Sequence, residues 1–126
     1  MKTVVFTDKA PAAIGPYSQA IKANGFVFVS GQLPVDPATG EFAPGGVEAQ
    51  AHQSLKNVQA ILATEGLELS DVVKTTVFIQ HMDDFAAVNG VYSQYFTADF
   101  PARSCVEIAK LPKGALVEIE VIAACK

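Results

Sequence analysis

The segment VEAQAHQSLKNVQAILATEG, residues 47–66, decides how the rest of the chain can be arranged. Its apolar residues recur at spacings of three and four, which is the period of one face of an α-helix. They are Val47, Ala51, Leu55, Val58 and Leu62. Gly66 follows the last of them and can close the helix in a left-handed conformation. We therefore predict an amphipathic helix whose apolar face packs on a sheet or on another helix.

A second helix is predicted after Asp83 and Asp84, because either aspartate can serve as its N-cap. Its apolar stripe consists of Phe85, Val88, Tyr92 and Tyr95. Gly90 lies inside this helix and weakens it by about 1 kcal/mol relative to alanine. Between the two helices, residues 72–79 are rich in β-branched side chains, which predicts a strand.

The rest of the chain is predicted to form short strands at Thr3 to Phe6, Ser18 to Lys22, Phe26 to Ser30, Arg103 to Ala109 and Leu116 to Ala123. Asn24-Gly25 indicates one hairpin turn, and Pro112-Lys113-Gly114 is expected to form another between the last two strands. The order β-β-β-α-β-α-β-β predicts an α/β (α+β) fold, a mixed β-sheet with two helices packed on one face. The other face of the sheet would then be exposed, and we expect it to be buried in a barrel-like core between subunits.

Composition sets limits on the class of protein. The 126 residues predict one domain, residues 1–126. With 50% hydrophobic and 17% charged residues the chain is not disordered, and it is apolar enough that we expect part of its surface to be buried between subunits. The net charge of −4, with scattered lysines, disfavours nucleic acid as a partner.

The sequence gives little indication of a targeting segment, a membrane span or a functional cysteine motif. The apolar stretch Val4 to Phe6 is too short for a signal peptide, and the longest charge-free runs are too short for a membrane span, so a soluble cytoplasmic protein is expected. Cys105 and Cys125 belong to no metal-binding or redox motif, and we interpret both as reduced thiols.

Several classes of chemistry are disfavoured by missing motifs. There is no G-x-G-x-x-G, the glycines at 40–46 are not followed by Lys-Ser/Thr, and Ser30-Gly31 lacks the flanking glycine of a nucleophile elbow. His52 and His81 have no partner at metal-ligand spacing, and we interpret them as solvated surface residues. No metal and no cofactor is therefore expected.

Arg103 is the single arginine in a chain that otherwise uses lysine. Its planar fork binds a carboxylate in a way that an ammonium group cannot, and its place at the start of what is predicted as a buried strand suggests recognition of a small carboxylate. The alternative is a structural ion pair with Glu107, Glu118 or Glu120. The residues alone leave both open.

Two further carboxylates interrupt an apolar strand in the run Val117-Glu118-Ile119-Glu120-Val121. Strand alternation places Glu118 and Glu120 on the same face. If this face is open to solvent, the pair only adds solubility; if it lines a pocket, one glutamate can activate water while Arg103 holds a substrate. Periodicity does not decide which glutamate would face Arg103.

Other candidates are less specific. Tyr17 and the run Ser30-Gly31-Gln32 lie next to strand ends, where a phenol and main-chain groups can reach a ligand. Tyr17 could equally be a core aromatic, and Gly31 could serve only a turn with positive φ. Asn89 on the second helix is open between surface and pocket.

Four segments give the chain a family resemblance that runs almost end to end. They are APAAIGPY (10–17), SGQLP (30–34), VKTTVF (73–78) and FPARSCVE (100–107). They resemble the RidA (YjgF-type) imine/enamine deaminases. The most specific part is Pro-Ala-Arg-Ser around Arg103 followed by the step Val117-Glu118-Ile119, and this resemblance selects Glu118 over Glu120.

The resemblance implies a chorismate-mutase-like fold assembled as a homotrimer with active sites between subunits. It implies hydrolysis of 2-imino acids such as 2-iminopropanoate and 2-iminobutanoate to 2-keto acids and ammonia, which protects pyridoxal-phosphate enzymes from these reactive compounds. Arg103 would bind the substrate carboxylate and Glu118 would activate water. The main chain at Gly31 and Cys105 would contact the imine nitrogen, and the cleft would be shaped by Tyr17, Ser30 and Asn89.

Two alternatives from other classes remain open. Some relatives are described as endoribonucleases or translation inhibitors, although the scattered lysines of this chain argue against RNA. A chaperone-like or metabolite-binding trimer without turnover could use the same cleft.

Overall fold

The computed structural model describes residues 1–126 as a mixed sheet with two α-helices against one face. The strands are β1 (Thr3–Val5), β2 (Ala20–Ala23), β3 (Phe26–Gln32), β4 (Val72–Ile79), β5 (Ala102–Glu107) and β6 (Val117–Ala124), and the helices are α1 (Val47–Ala63) and α2 (Phe85–Tyr95). The predicted α+β class and element order are confirmed. Neither helix combines the length and apolarity needed to cross a bilayer.

The six strands lie in the order β1-β2-β3-β6-β4-β5, and only the β4–β5 pair is parallel. The hairpin at Asn24 and Gly25 is confirmed, with φ of 52° and 81°. The second hairpin is wrong: β5 pairs with β4 at the sheet edge, and β6 is inserted between β3 and β4. Residues 108–116 can span roughly 30 Å, enough to cross β4, and the central place gives the apolar β6 two hydrogen-bonded neighbours.

The core lies between the sheet and α1. Every second residue of β6, beginning with Val117 and Ile119, is buried beneath the helices. From α1, Leu55, Val58, Ile61 and Leu62 are fully buried. Gly66 closes the helix as predicted: its φ is 70°, and the next residue, Leu67, donates its N–H to the carbonyl of Leu62 at 3.1 Å.

α2 is fixed over β4 by an aromatic side chain. Asp84 occupies the N-cap position, and Val88, Val91 and Tyr92 are buried. The hydroxyl of Tyr92 lies 2.9 Å from the hydroxyl of Thr75 on β4. This contact sets the position of the exposed face of α2 relative to β5.

The opposite face of the sheet carries no helix. Phe26 and Phe28 stand on it with 39% and 44% of their surface exposed, and Ile122 alternates onto the same side. Within one chain the sheet is open, with β1 and β5 as free edges, so the barrel-like core is not formed by a single chain. It stays a prediction about assembly.

Candidate active site

A groove of about 990 Å³ opens on the helix-free side of the sheet. Its floor includes Gly31, Glu118 and Glu120, and its walls come from residues 6–17 and 33–40. Four of the predicted site residues line it together, namely Tyr17, Ser30, Gly31 and Glu118. The groove is therefore the place where the first group of candidates meets.

Gly31 and Glu118 are in direct contact across β3 and β6. A Cβ added to Gly31 would lie 2.7 Å from Cδ and 2.8 Å from Oε1 of Glu118, closer than real Cβ atoms approach. The φ of Gly31 is not positive, so the interpretation that this glycine serves a left-handed turn is wrong. Glycine is needed here because any side chain would displace the carboxylate.

The carboxyl group of Glu118 is half-buried. Burial, and secondarily the negative charge of Glu120 two residues along the strand, raises the pKa of Glu118 above its usual range. A carboxylate with a raised pKa is a stronger base, which suits it to accept a proton from water.

Ser30 and Tyr17 differ in what they offer a ligand. The hydroxyl of Ser30 donates to the carbonyl of Ser18 at 2.6 Å, so it holds β3 to the preceding segment. Tyr17 is 55% exposed at the wall of the groove, and the interpretation of it as a core aromatic is wrong. Its phenol is free to contact a bound molecule.

The second group of candidates lies where α2 faces β5. One guanidinium N–H of Arg103 donates to Oδ1 of Asn89 at 2.7 Å. The guanidinium carbon is 4.8 Å from the ring centroid of Tyr92 and 5.5 Å from that of Phe85. This aromatic shelf orients the planar fork while leaving most of its N–H donors free.

Arg103 has no acidic partner. The ion pairs of the structure join Lys22 to Glu65 and Lys126 to Glu68 and Asp71. The structural ion pair considered for Arg103 is therefore wrong, and so is its predicted place in a buried strand, because β5 is an exposed edge. An oriented guanidinium without a carboxylate is available for an anion from outside the chain.

Cys105 stands on the same strand as Arg103 and packs against the core. Burial raises the pKa of its thiol, and the nearby Arg103 offsets this only in part. The thiol is therefore mainly protonated near neutral pH, as expected for a packing residue rather than a nucleophile.

The two groups lie on opposite faces of the sheet. Arg103 pairs with Thr75, whose side chain points to the helices, whereas Glu118 pairs with Phe78, three residues along β4. Successive residues of a strand alternate faces, so an odd separation puts the two side chains on opposite sides. One chain does not bring Arg103 and Glu118 together.

Sequence reasoning missed two features of these surfaces. Tyr92 and Phe85, predicted as core stripe, also form the shelf under Arg103. Lys113 lines the groove in a left-handed conformation, with φ of 58°, and only its place next to Gly114 indicated a special turn.

His52 lies outside both groups. Its predicted solvation is wrong, because its Nδ1 is 2.7 Å from the hydroxyl of Tyr95 and the ring is half-buried. No three His, Cys, Asp or Glu side chains are grouped as metal ligands would need.

The chain is similar to known proteins over almost its whole length. Residues 7–125 match the family model described as endoribonuclease L-PSP. The chain is 53% identical to a 2-iminobutanoate/2-iminopropanoate deaminase of Escherichia coli K12, with 98% of each chain covered. It is also 53% identical to a RutC family protein of Pyrococcus horikoshii, again with 98% of each covered.

Among solved structures, the fold superposes with a TM-score of 0.93 on E. coli TdcF with bound serine, at 48% identity. That alignment covers 98% of this chain and 99% of the other.

Proposed function

The chain belongs to the RidA (YjgF-type) family, to which the endoribonuclease L-PSP model corresponds, and on this premise we propose that it hydrolyses 2-imino acids to 2-oxo acids and ammonia. Its substrates would be small imines such as 2-iminopropanoate and 2-iminobutanoate. The observation that carries the proposal is the carboxylate of Glu118, set against Gly31 on the floor of an open groove. The deaminase name of relatives at 53% identity supports the same reaction.

The reaction needs a base and a binding group for the carboxylate of the substrate. A protonated imine is already an electrophile, so neither a covalent nucleophile nor a cofactor is required. As the oxygen of water bonds to the imine carbon, Glu118 accepts the proton that the water loses. Glu118 returns this proton to the amino nitrogen. The C–N bond then breaks and ammonia leaves, while the hydroxyl group loses its proton to Glu118 and the C=O bond forms; this proton passes to the departing ammonia. The products are the 2-oxo acid and ammonium.

The guanidinium of Arg103 would bind the substrate carboxylate. It is oriented by Asn89 and by the ring of Tyr92, and it lacks an acidic partner in the chain. Charge-assisted hydrogen bonds of this kind contribute about 1.5–3 kcal/mol each.

Because the two residues face opposite sides of one sheet, we propose that each site combines Arg103 of one subunit with Glu118 of the next in a homotrimer. The apolar part of the helix-free face, with Phe26 and Phe28, supplies surface for such an assembly. Sedimentation equilibrium tests the assembly, and a monomeric mass at micromolar concentration contradicts it.

Turnover is tested by making imino acids in solution from L-amino acids with an amino-acid oxidase and trapping the unreacted imine with semicarbazide. Arg103→Lys keeps the charge but loses the planar fork, and Glu118→Gln removes the base; each is expected to lower kcat/KM by about a hundredfold or more. Glu65→Gln, which removes a carboxylate at the far end of α1, is the matched control and keeps the wild-type rate. Near wild-type turnover by folded Arg103→Lys contradicts the assigned role.

Mixing the two inactive variants tests the shared site directly. In trimers reassembled from equal amounts of Arg103→Lys and Glu118→Gln, about a quarter of the sites pair an intact arginine with an intact glutamate, since each residue comes from a different subunit. We expect roughly that fraction of the wild-type rate to return. No recovery in verified mixed trimers means that both residues of a site belong to one chain.

Ribonuclease activity, which the description of the family model suggests, has less physical support in this chain. Of its lysines, Lys22 and Lys126 are paired with carboxylates, and the net charge is −4. A polyanion needs clustered cations that neutralise several phosphates. Incubation with single-stranded RNA is the corresponding test, and cleavage that Glu118→Gln abolishes would favour the nuclease instead.

A further inference from the structure

A buried amide outside the proposed catalytic groups holds one wall of the groove, the wall formed by residues 6–17. Gln19 is 3% exposed, and all of its side-chain hydrogen bonds go to the main chain of residues 7–11. Its Oε1 accepts the N–H of Thr7 at 2.8 Å. Its Nε2 donates to the carbonyls of Thr7 at 3.0 Å, Ala10 at 3.3 Å and Pro11 at 2.8 Å.

The wall has few other attachments. Residues 11–17 include no buried residue, and the main-chain hydrogen bond within them is the local one from Tyr17 to Gly15 at 2.9 Å. Ile14 and Tyr17, which project from this segment into the groove, are 80% and 55% exposed. Ala10 is the last residue of the wall that packs in the hydrophobic core. The position of the wall beyond it therefore depends on Gln19.

Gln19 also connects the wall to the floor. Its main-chain carbonyl accepts the N–H of Ser30 at 2.9 Å. Ser30 directly precedes Gly31, against which the carboxylate of Glu118 rests. One residue therefore joins the apolar wall to the strand that carries the proposed reaction centre.

We propose that Gln19 is a positioning residue that sets the distance between the wall at Ile14 and Tyr17 and the carboxylate of Glu118, and thereby the size of the substrate side chain that binds productively. At Ile14 and Tyr17 the wall is aliphatic and aromatic, so the substrate side chain that contacts it there is an alkyl group. The inference rests on the proposed function, because it assigns the wall to the side chain of a 2-imino acid.

The test compares imines of increasing side-chain size in wild type and Gln19→Met, which keeps the length of the side chain and loses all four hydrogen bonds. We expect KM for the leucine-derived imine to rise about tenfold and KM for the alanine-derived imine to change little, with kcat nearly constant for both. This pattern is the signature of lost ground-state binding of the side chain. A purely structural role does not produce a dependence on side-chain size.

Two further variants keep the test decisive if Gln19→Met folds poorly. Gln19→Glu keeps the acceptor for Thr7 but cannot donate to the carbonyls of Ala10 and Pro11 when ionised, and it should change KM in the same direction. Ile14→Ala alters an exposed side chain of the wall itself, so it should fold and should show the same selective loss for the leucine-derived imine.

Val58→Ala is the matched control for general destabilisation, because Val58 is fully buried in α1 and does not line the groove. It should lower the melting temperature and leave both KM values unchanged. The proposal is overturned if folded Gln19→Met and Ile14→Ala keep wild-type KM values for both imines, or if Val58→Ala reproduces their selectivity.

Calorimetric titration with pyruvate and with 4-methyl-2-oxopentanoate separates this inference from the proposed function, because it needs no turnover. If wild type does not hydrolyse imines, the deaminase proposal fails; a selective loss of affinity for the larger oxo acid in Gln19→Met still supports the positioning role. If wild type hydrolyses imines and neither KM nor affinity becomes selective in the variants, only the role of Gln19 is wrong.

Discussion

Gly31→Ala is the most direct test of the proposed reaction centre, since it changes the position of the Glu118 carboxylate without changing its chemistry. The new methyl group would lie 2.7 Å from Cδ of Glu118, whereas ordinary contact begins at 3.4 Å, so the carboxylate must move by about 0.7 Å to restore ordinary contact. Misplacement of a reacting group by about 1 Å can reduce rate about a hundredfold. We expect kcat to fall by roughly that factor, equivalent to about 2.7 kcal/mol of activation free energy.

Stability should change little in this variant, because the displaced atoms are the end of a flexible side chain beside an open groove. Thermal unfolding checks this, and semicarbazide trapping measures kcat. Gly46→Ala is the matched control: its added methyl group meets nothing within 4 Å, and its φ of −89° is accessible to alanine. The control should keep the wild-type rate.

A double-mutant cycle decides whether the loss acts through Glu118. Once Glu118→Gln has removed the base, adding Gly31→Ala should cost far less than it does in wild type, because both changes disable the same group. Fully additive losses, or a folded Gly31→Ala with near wild-type kcat, would refute the reasoning that the position of Glu118 limits the reaction.

Three further outcomes follow from the structure. Glu120→Gln removes a charge that raises the pKa of Glu118, so the base stays ionised to lower pH; the acidic limb of the kcat/KM profile should move to lower pH, and an upward shift contradicts the assignment. Gly90→Ala should raise the free energy of unfolding by about 1 kcal/mol in urea titrations, because a methyl group there meets nothing within 4 Å; a loss of stability would show that this helix position needs glycine. Cys105→Ser should keep most of the activity, because the thiol is mainly protonated; abolished turnover in a folded variant indicates a catalytic thiol.

Local sequence patterns were sufficient to predict the helices, the strands and the face of the sheet on which a residue lies. The period of the α1 segment and the turn chemistry of Asn24-Gly25 are set by near neighbours, and both predictions are confirmed. The alternation of β6 also placed Glu118 and Glu120 on one face, which is where the structure has them. Such features depend on backbone geometry over a few residues.

Strand pairing could not be predicted in the same way. The expected β5–β6 hairpin assumed that consecutive strands pair, which is the usual case but depends on contacts distant in sequence. The insertion of β6 between β3 and β4 is decided by which strands can bury its apolar side, and no local signal in residues 108–116 records that outcome.

The predictions for the candidate site divide in the same way, into features set by near neighbours and features set by contacts distant in sequence. The residue types at Arg103 and in the Glu118–Glu120 pair were compatible with a carboxylate-binding group and a base, and only the family resemblance selected Glu118. The partners of Arg103 on α2 are tertiary contacts. The role of Gly31 depends on a carboxylate from a strand far along the chain, so a positive φ was the local explanation and it was wrong. The pairing of His52 with Tyr95 was missed for the same reason.

Because Arg103 and Glu118 lie on opposite faces of the sheet, the helix-free face has a second role in the proposed assembly. A chain that left Phe26 and Phe28 exposed would place apolar surface in water. In the same chain the proposed base, Glu118, lies on the opposite face of the sheet from Arg103, the proposed carboxylate-binding group. A neighbouring subunit that covers the face can also present its own Arg103, because β5 is a free edge with its guanidinium exposed. In the proposed trimer, burial of the apolar face and completion of the site are thus the same event, so substitutions that weaken assembly should lower activity without touching either residue.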